Sequence, residues 1–339
     1  MKPIFSIITE SQVRNVAFNN HESIYALIKK AYRSHYKKET VNPPSYFLRY
    51  PDKPNSRIIA LPASITYNPR IGGIKWIASN PDNIKKGLNR ASAVIILNDY
   101  ETGYPFSCIE GSLISTIRTA YSAVVAADKL MINKNINVVG ILGTGKIAFN
   151  ILRYLCLQNY NIDSIILHDL LEERVEKFIW LLKENNIKFS GKILIKNRKE
   201  DLVNESNLLI LITTTNKPYI DDLYKIKNDA IILHISLRDI MQEVLVKCNN
   251  IVDDIDHVRN ASTKQANTSP HLALQKYVNI DFINGTIGQL IANEITIDRK
   301  KTTIVSPMGL GILNIALANF IYRETEKNHD FIKIKDFFE

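Results

Sequence analysis

The stretch that most limits the fold of this chain is INVVGILGTGKIA, residues 136–148. Its first half is a β-branched apolar run typical of a buried strand, and its second half is a Gly-x-Gly turn that opens directly into a helical pattern. Gly143 permits a tight turn, Gly145 lets the backbone approach a pyrophosphate, and the small Ala148 lets the helix pack against the strand. The stretch therefore predicts a strand–turn–helix unit that binds dinucleotide phosphates at the helix N-terminus.

A second predicted strand, SIILHD at residues 164–169, ends on an acidic residue, Asp169. An acid at this point binds the ribose hydroxyls of the adenosine and repels a 2′-phosphate, which favours NAD over NADP. The alternative, an ordinary glycine turn between a strand and a helix, is disfavoured by this acid. The sequence thus predicts NAD as the cofactor, with contacts from Gly143, Thr144, Gly145, Lys146, Ile147 and Asp169.

From residue 136 onward the sequence alternates short apolar strands with amphipathic helical segments. Helices are predicted at 146–158 and 172–184, and strands at 164–169, 192–196, 208–213, 230–235 and around 251–252. Such alternation predicts a parallel sheet covered by helices on both faces. The expected fold class is therefore α/β, with a Rossmann-type doubly wound parallel sheet.

The two ends of the chain show a different pattern. A predicted helix at 24–36 is followed by β-type runs at 57–65, 72–79 and 91–99, separated by turns rich in Pro, Gly and Asn, which indicates an antiparallel or mixed sheet. The turn SPMGLG is followed by a predicted helix whose apolar face must be buried against another part of the protein. We therefore predict a discontinuous α+β substrate-binding and dimerisation domain, residues 1–125 and 306–339, and an NAD-binding domain, residues 126–305.

Composition narrows the class of protein. With 339 residues and 45% hydrophobic content the chain can bury a large core. It has neither an apolar run of the roughly 18 residues a membrane helix needs nor a signal-peptide pattern, so a cytoplasmic protein is expected. The net charge of +9 is spread among acidic residues, which suits an anionic small molecule better than nucleic acid. The three cysteines and seven histidines lack ligand spacing, so no metal site is expected and the cysteines are interpreted as small buried residues.

Three charged residues have apolar or small neighbours. Lys75 lies within an apolar run, where burial lowers the pKa of a lysine unless an anion pairs with it. Arg118 presents a planar guanidinium that matches a carboxylate, and Asp239 follows the predicted strand 230–235, at the ligand-binding edge of an α/β sheet. The structural alternatives are an edge-strand lysine, a helix salt bridge and a helix N-cap. Local pattern alone leaves them open.

These stretches resemble the ornithine cyclodeaminase/μ-crystallin family over nearly the whole chain. In that family a lysine in a G-x-K motif, an arginine in an R-T-A motif and an aspartate after the fifth sheet strand surround the nicotinamide, and they match Lys75, Arg118 and Asp239. The resemblance implies that Lys75 and Arg118 hold a substrate carboxylate and that Asp239 is the general acid/base. It also implies a homodimer. We expect Thr213, Met308 and Gly309 to contact the cofactor, although a tight turn before a helix also explains the last two.

The longest matches resemble the branch of the family that makes 2,3-diaminopropionate for siderophores. They include residues 72–83, 89–105 and 110–124. This resemblance implies NAD-dependent oxidation of a secondary amine at a glutamyl α-carbon, to an imine that water hydrolyses to 2-oxoglutarate. The substrate carries three carboxylates. Lys75 and Arg118 account for one of these carboxylates, and the other two need further cations. The candidates are Arg49, Arg57 and Arg90, although each of these arginines could instead form an ion pair at the surface.

Other functions remain open at this stage. The family resemblance also admits a cyclodeaminase, an alanine-type dehydrogenase or a ketimine reductase, and crystallin relatives permit a non-catalytic NAD-dependent binding or regulatory protein. Asn314, where many relatives have an acid, and residues 286–288, where they have Glu-Leu-Gly, depart from the family pattern. Net NADH production separates the enzymes, because a cyclodeaminase recycles its cofactor. A pure binding protein needs no proton-transfer carboxylate.

Overall fold

The computed structural model describes residues 4–260 and 268–338 and divides the chain into two compact units. The first unit comprises Met1–Arg118 and Gly309–Glu339, and the second is Thr119–Met308. The predicted domain boundaries lie after residues 125 and 305. The first observed boundary lies inside a helix, so no change in local sequence pattern marks it.

The first unit is built on an eight-stranded mixed sheet. Its strands are β1 (Phe5–Ile8), β2 (Thr40–Val41), β3 (Tyr46–Tyr50), β4 (Lys53–Ile65), β5 (Ile71–Ser79), β6 (Ala91–Asn98), β7 (Pro105–Glu110) and β16 (Ile332–Ile334). The strand order is β16-β1-β7-β6-β5-β4-β2, and β3 pairs with β4. Neighbours are antiparallel except β1 and β7, which are parallel. The sheet is therefore mixed, one of the two forms that the sequence predicts.

Helices cover one face of this sheet. They are α1 (Glu10–Asn19), α2 (His21–Tyr36) and α11 (Gly311–Lys327), with a short 3-10 helix at Pro81–Lys86. Helix α11 is buried over most of its length and contacts β4, β5, β6, α1 and α2, so the apolar face expected to need cover is packed within this unit. Helix α3 (Gly111–Leu130) follows β7 and contains the boundary between the units.

The second unit is built on a fully parallel sheet of eight strands. The strands are β8 (Asn135–Leu142), β9 (Asn161–His168), β10 (Lys192–Ile195), β11 (Leu208–Leu211), β12 (Ile231–His234), β13 (Asn249–Val252), β14 (Ile283–Thr286) and β15 (Thr303–Ser306). Their order is β10-β9-β8-β11-β12-β15-β13-β14. The order reverses between β8 and β11, where ligands of open α/β sheets bind beyond the carboxyl ends of the strands.

Helices connect many of these strands, as the alternating pattern predicts. They are α4 (Lys146–Leu157), α5 (Glu172–Glu184), α6 (Lys199–Glu205), α7 (Gln242–Leu245), α8 (Ile255–Asn260), α9 (Ser269–Lys276) and α10 (Ile287–Ala292), with a 3-10 helix at Leu223–Lys225. Every residue of β11 and β12 is buried, which is typical of parallel strands covered on both faces. In the described part of the chain no helix has the length and apolar character needed to cross a membrane.

The three cysteines differ in burial. Cys248 is buried, and burial raises the pKa of its thiol to about 12. Cys108 and Cys156 are only half-buried, so the expectation of three buried cysteines is correct for one of them. Cys156 lies in the last turn of α4, where the helix surface begins to face water.

Candidate functional site

The turn after β8 has the conformation and the free space that dinucleotide phosphates require. Gly143 has φ +97°, and a Cβ there would lie 2.5 Å from the carbonyl oxygen of Ile212, so only glycine fits. Gly145 is the N-cap of α4, and a Cβ at this position would meet nothing within 4 Å. The first N–H groups of a helix have no acceptor within the helix and point outward from its N-terminus. The turn therefore fits a pyrophosphate.

Asp169 lies directly beyond β9 and is tied to this turn. Its Oδ2 accepts hydrogen bonds from the Thr144 backbone N–H at 2.8 Å and from the Thr144 hydroxyl at 3.1 Å. The Gly143 N–H donates to the carbonyl oxygen of His168 at 2.9 Å, which holds the ends of β8 and β9 together. A carboxylate in this place suits the ribose hydroxyls of an adenosine.

Asp239 lies beyond the carboxyl end of β12 and is fully buried. Its Oδ1 accepts hydrogen bonds from the hydroxyls of Thr213 at 2.6 Å and Tyr219 at 2.8 Å, and its Oδ2 accepts one from Ser236. Burial raises the pKa of Asp239, whereas hydrogen bonds from the hydroxyls of Ser236 and Thr213 lower it and stabilise the ionised form. The carboxylate is therefore ionised at neutral pH.

The N-cap interpretation of Asp239 is wrong. The next helix, α7, has Met241 as its N-cap, two residues later. The main chain of Asp239 is fixed instead by the N–H groups of Tyr219 and Ile220, which both donate to the Asp239 carbonyl oxygen at 2.9 Å. The preceding turn includes Leu237 at φ +66°, a conformation that a leucine rarely adopts. The surrounding contacts hold Asp239 in a specific place.

Lys75 is buried in the interior of the first unit's sheet, with only 2% of its surface exposed. Its strand β5 lies between β4 and β6, where Lys75 pairs with Leu61 and Ile95, so the edge-strand interpretation is wrong. The Lys75 ammonium donates to the Ser115 hydroxyl at 3.2 Å. Burial, and secondarily the charge of Arg118, lower the pKa of Lys75 well below its ordinary value. A bound anion would stabilise the ammonium form and so raise the pKa of Lys75 again.

Arg118 lies close to the turn that precedes α11. Gly309 has φ +101°, and a Cβ there would lie 2.8 Å from Nη1 and 3.0 Å from Nη2 of Arg118. Gly309 therefore provides the space that the guanidinium occupies. Because Arg118 also lowers the pKa of Lys75, the two cations belong to one electrostatic cluster. Two cations close together inside a protein favour the binding of a carboxylate.

The three candidate arginines lie at the same end of the first unit's sheet. Arg49 on β3 is directly opposite Arg57 on β4, and Arg57 pairs with Ser79 on β5, which pairs with Ala91 on β6. Arg90 immediately precedes Ala91, and its carbonyl accepts the Asn80 N–H at 2.8 Å. Arg49 is exposed, whereas Arg57 and Arg90 are half-buried.

Strand pairing also places these arginines relative to Lys75. Leu61, the partner of Lys75, follows Arg57 by four residues on β4, about 13 Å along the strand, and the two residues face the same side. The guanidinium groups at this end of the sheet are candidate ligands for additional carboxylates.

Several hydrogen-bond partners of the predicted residues were not predicted from the sequence. Ser115 contacts Lys75, and Tyr219, Ser236 and His234 surround Asp239. His234 and Ser236 lie in the same short stretch as Asp239, which was the one available signal. Tyr219 is twenty positions away, and no local pattern indicates its contact. The predicted cofactor contacts all stay predictions: Gly143, Thr144, Gly145, Lys146, Ile147, Asp169, Thr213, Met308 and Gly309.

A parallel sheet with this strand order and a glycine turn at its reversal point defines a dinucleotide-binding α/β protein. The model of the ornithine cyclodeaminase/mu-crystallin family matches residues 7–329, and the chain belongs to this family. The predictions of family, fold class and an enzyme are thereby confirmed.

The relatives include one well-matched enzyme and two solved structures. N-((2S)-2-amino-2-carboxyethyl)-L-glutamate dehydrogenase of Staphylococcus aureus is 33% identical over 323 residues, 92% of this chain and 93% of that protein. The Δ1-pyrroline-2-carboxylate reductase of Thermococcus litoralis, solved with NADH and L-proline, has a TM-score of 0.85 at 20% identity and covers 97% of this chain and 100% of its own. An archaeal alanine dehydrogenase dimer with bound NAD has a TM-score of 0.84 at 24% identity, covering 98% and 100%. At these identities the two structures show the fold alone.

Proposed function

We propose that this protein is an NAD-dependent dehydrogenase that converts N-(2-amino-2-carboxyethyl)-L-glutamate and water to L-2,3-diaminopropionate and 2-oxoglutarate. The observation that carries the proposal is the set of cations in the first unit: buried Lys75 with half-buried Arg118, and three arginines at one end of the same sheet. A substrate with three carboxylates uses both groups. The Staphylococcus aureus relative, named for this substrate, supports the same choice.

NAD is the cofactor of the proposed reaction. The open turn at Gly145 and the first turn of α4 hold the pyrophosphate, and Asp169 holds the adenosine ribose. We further assign Thr213, Met308 and Gly309 to cofactor contacts, as the family resemblance implies. When bound, NAD accepts a hydride from the glutamyl α-carbon of the substrate.

Lys75 and Arg118 orient the substrate through its carboxylate. The pKa of Lys75 is lowered in the free protein. A bound carboxylate raises this pKa, because its negative charge stabilises the ammonium form. Arg57 and Arg90, both half-buried, bind the more distant carboxylates, with Arg49 at the exposed margin. Each carboxylate loses its hydration on binding, and a fixed cation offsets that cost.

Asp239 moves the protons. Oxidation of the secondary amine gives an imine, and water then adds to the imine carbon. The ionised Asp239 carboxylate takes a proton from that water and gives it to the nitrogen of the resulting carbinolamine. The carbinolamine hydroxyl then loses its proton as the C–N bond breaks, so that the carbonyl of 2-oxoglutarate forms and the amine leaves. The hydroxyls of Thr213, Tyr219 and Ser236 keep the carboxylate aimed in one direction.

The competing functions account for fewer of these residues. Ornithine and alanine each carry one carboxylate, so neither substrate uses the arginine group in addition to Lys75 and Arg118. A non-catalytic binding protein has no use for a buried, ionised carboxylate held by three hydroxyls.

We also propose a homodimer formed through the outer face of the first unit's sheet. Tyr46, Ala60, Trp76 and Val94 are paired across four adjacent strands and form one apolar row. Tyr46, Trp76 and Val94 are 66%, 42% and 41% exposed. An exposed apolar row of this extent is typical of a subunit interface. The proposed setting is the cytoplasm, in siderophore or related secondary metabolism, since 2,3-diaminopropionate is not a protein amino acid.

The decisive experiment incubates the protein with NAD and the tricarboxylate amine, follows NADH by absorbance, and identifies both products by mass. One NADH should form for each 2-oxoglutarate released. Asp239→Asn keeps the size of the side chain but removes the base, so turnover should fall by about 10² to 10⁴ while NAD affinity changes little. Conversion of ornithine to proline without net NADH, together with no turnover of the tricarboxylate amine, would contradict the proposal.

A further inference from the structure

The side chain of His234 is fully buried next to Asp239, and both ring nitrogens have partners. It is the last residue of β12. Its Nε2 accepts a hydrogen bond from the Asp239 backbone N–H at 3.2 Å. Its Nδ1 lies 3.3 Å from the Ser306 hydroxyl at the end of β15. The ring thus connects the ends of two adjacent strands to the Asp239 turn.

These contacts specify one form of the ring. A nitrogen that accepts the Asp239 N–H carries no proton of its own, so the ring proton lies on Nδ1 and is donated to Ser306. The ring is therefore neutral in this arrangement. Nε2 and Asp239 Oδ2, which are 3.4 Å apart, are consequently two acceptors that form no hydrogen bond with each other. Oδ2 accepts its hydrogen bond from the Ser236 hydroxyl instead.

We infer that His234 is a positioning residue for Asp239, acting through the Asp239 backbone N–H; its kinetic consequence rests on the proposed function. The Asp239 carbonyl is held by the N–H groups of Tyr219 and Ile220, and its carboxylate by three hydroxyls. The remaining polar group of the residue, its N–H, is held by His234. Loss of that bond leaves a buried N–H without an acceptor and frees the turn to rotate.

The local backbone explains why this turn needs such support. Leu237 has φ +66°, and its carbonyl accepts the Ser269 N–H at 2.7 Å. A left-handed leucine persists only when surrounding contacts outweigh its cost. The bond from Asp239 to His234 is one of those contacts, two residues after Leu237. Misplacement of a catalytic group by about 1 Å lowers turnover by about 10²-fold.

The test compares His234→Leu, which removes the acceptor, with His234→Gln, whose amide oxygen extends to a similar distance and still accepts an N–H. His234→Leu should lower kcat by about 10- to 100-fold, while KM stays within about threefold and NAD affinity is unchanged. His234→Gln should recover most of the lost kcat. Ser306→Ala, which leaves Nε2 in place, should have a smaller effect than His234→Leu.

A second measurement does not depend on substrate. The ¹⁵N spectrum of histidine-labelled wild-type protein should show an unprotonated Nε2 and a protonated Nδ1 for His234, assigned by comparison with His234→Gln. A protonated Nε2, an unchanged kcat in His234→Leu, or an equal loss in both variants would each overturn the inference. Absence of wild-type turnover on the tricarboxylate amine would instead refute the proposed function, and the spectrum alone would then decide the role of His234.

Discussion

The position of Lys75 in the interior of a sheet changes the pKa of its side chain. Lys75 is buried, is paired with Leu61 and Ile95 on the neighbouring strands, and lies in the field of Arg118. Both conditions favour the neutral amine, and a bound carboxylate favours the ammonium. We therefore expect binding of a carboxylate substrate at Lys75 to be coupled to the uptake of a proton.

We expect the affinity for the carboxylate substrate to fall as pH rises above the lowered pKa of Lys75. The sign follows because the free protein loses the Lys75 proton there, whereas the complex retains it. Titration calorimetry in two buffers of different ionisation enthalpy measures the proton uptake directly. Lys75→Met should abolish the uptake and weaken binding by about 2 to 4 kcal/mol. A wild-type protein that binds substrate without taking up a proton would contradict this coupling.

Arg90 is the residue on which substrate specificity is expected to depend. Arg90→Ala leaves a distant carboxylate desolvated and without a cation, so kcat/KM for the tricarboxylate amine should fall by about 2 to 4 kcal/mol. Arg70→Ala is the matched control, because Arg70 is 58% exposed at its side chain and ion-paired with Glu101. Steady-state kinetics of both variants make the comparison, and equal losses would remove Arg90 from the proposed site.

The two glycines in the turn between β8 and α4 have different structural roles. Gly143 is required by the backbone, since its φ is +97° and Ile212 leaves no space for a Cβ. Gly145 faces open space and is required only by what binds there. Stability and cofactor affinity should therefore respond separately to the two positions.

Gly145→Ala should weaken NAD binding by about tenfold or more, with the free energy of unfolding nearly unchanged. Gly143→Ala should instead lower the free energy of unfolding by about 2 kcal/mol or more, because of left-handed strain and the close Ile212 carbonyl. Chemical denaturation and NAD titration of both variants provide the measurements. Unchanged NAD affinity in Gly145→Ala would exclude this turn as the pyrophosphate site.

The chain has two tryptophans, which are both exposed and lie in different units. Trp76 belongs to the apolar row on the first unit's sheet, and Trp180, 54% exposed, lies on α5 of the second unit. Only the first is expected to lie in a subunit interface.

Trp76→Glu should therefore convert a dimer to a monomer, because it places a charge in the apolar row. Trp180→Glu makes the same chemical change outside the proposed interface and should leave the dimer intact. Light scattering at micromolar concentration measures the mass of each variant. A monomeric wild-type protein, or equal dissociation of both variants, would rule out this face as the interface.

Much of the second unit was predictable from sequence. The predicted helices 146–158 and 172–184 correspond to Lys146–Leu157 and Glu172–Glu184. The strand predicted at 164–169 begins three residues earlier, at Asn161, because polar residues at its start conceal the apolar pattern. Short strands of the first unit such as β1 and β3 escaped prediction, since their pairing partners lie far away or in a register that the sequence does not reveal.

Local sequence pattern was enough to predict the dinucleotide unit and the family, and it singled out Lys75, Arg118 and Asp239 as candidate site residues. Their signals are short: a glycine turn, a strand that ends on an acid, a charge within an apolar run. Their surroundings became visible only in the folded chain, namely Ser115 at Lys75, and Tyr219 and His234 at Asp239. Hydrogen bonds between residues distant in sequence depend on strand order, register and the paths of turns, because these are set by the packing of the whole unit rather than by any local pattern.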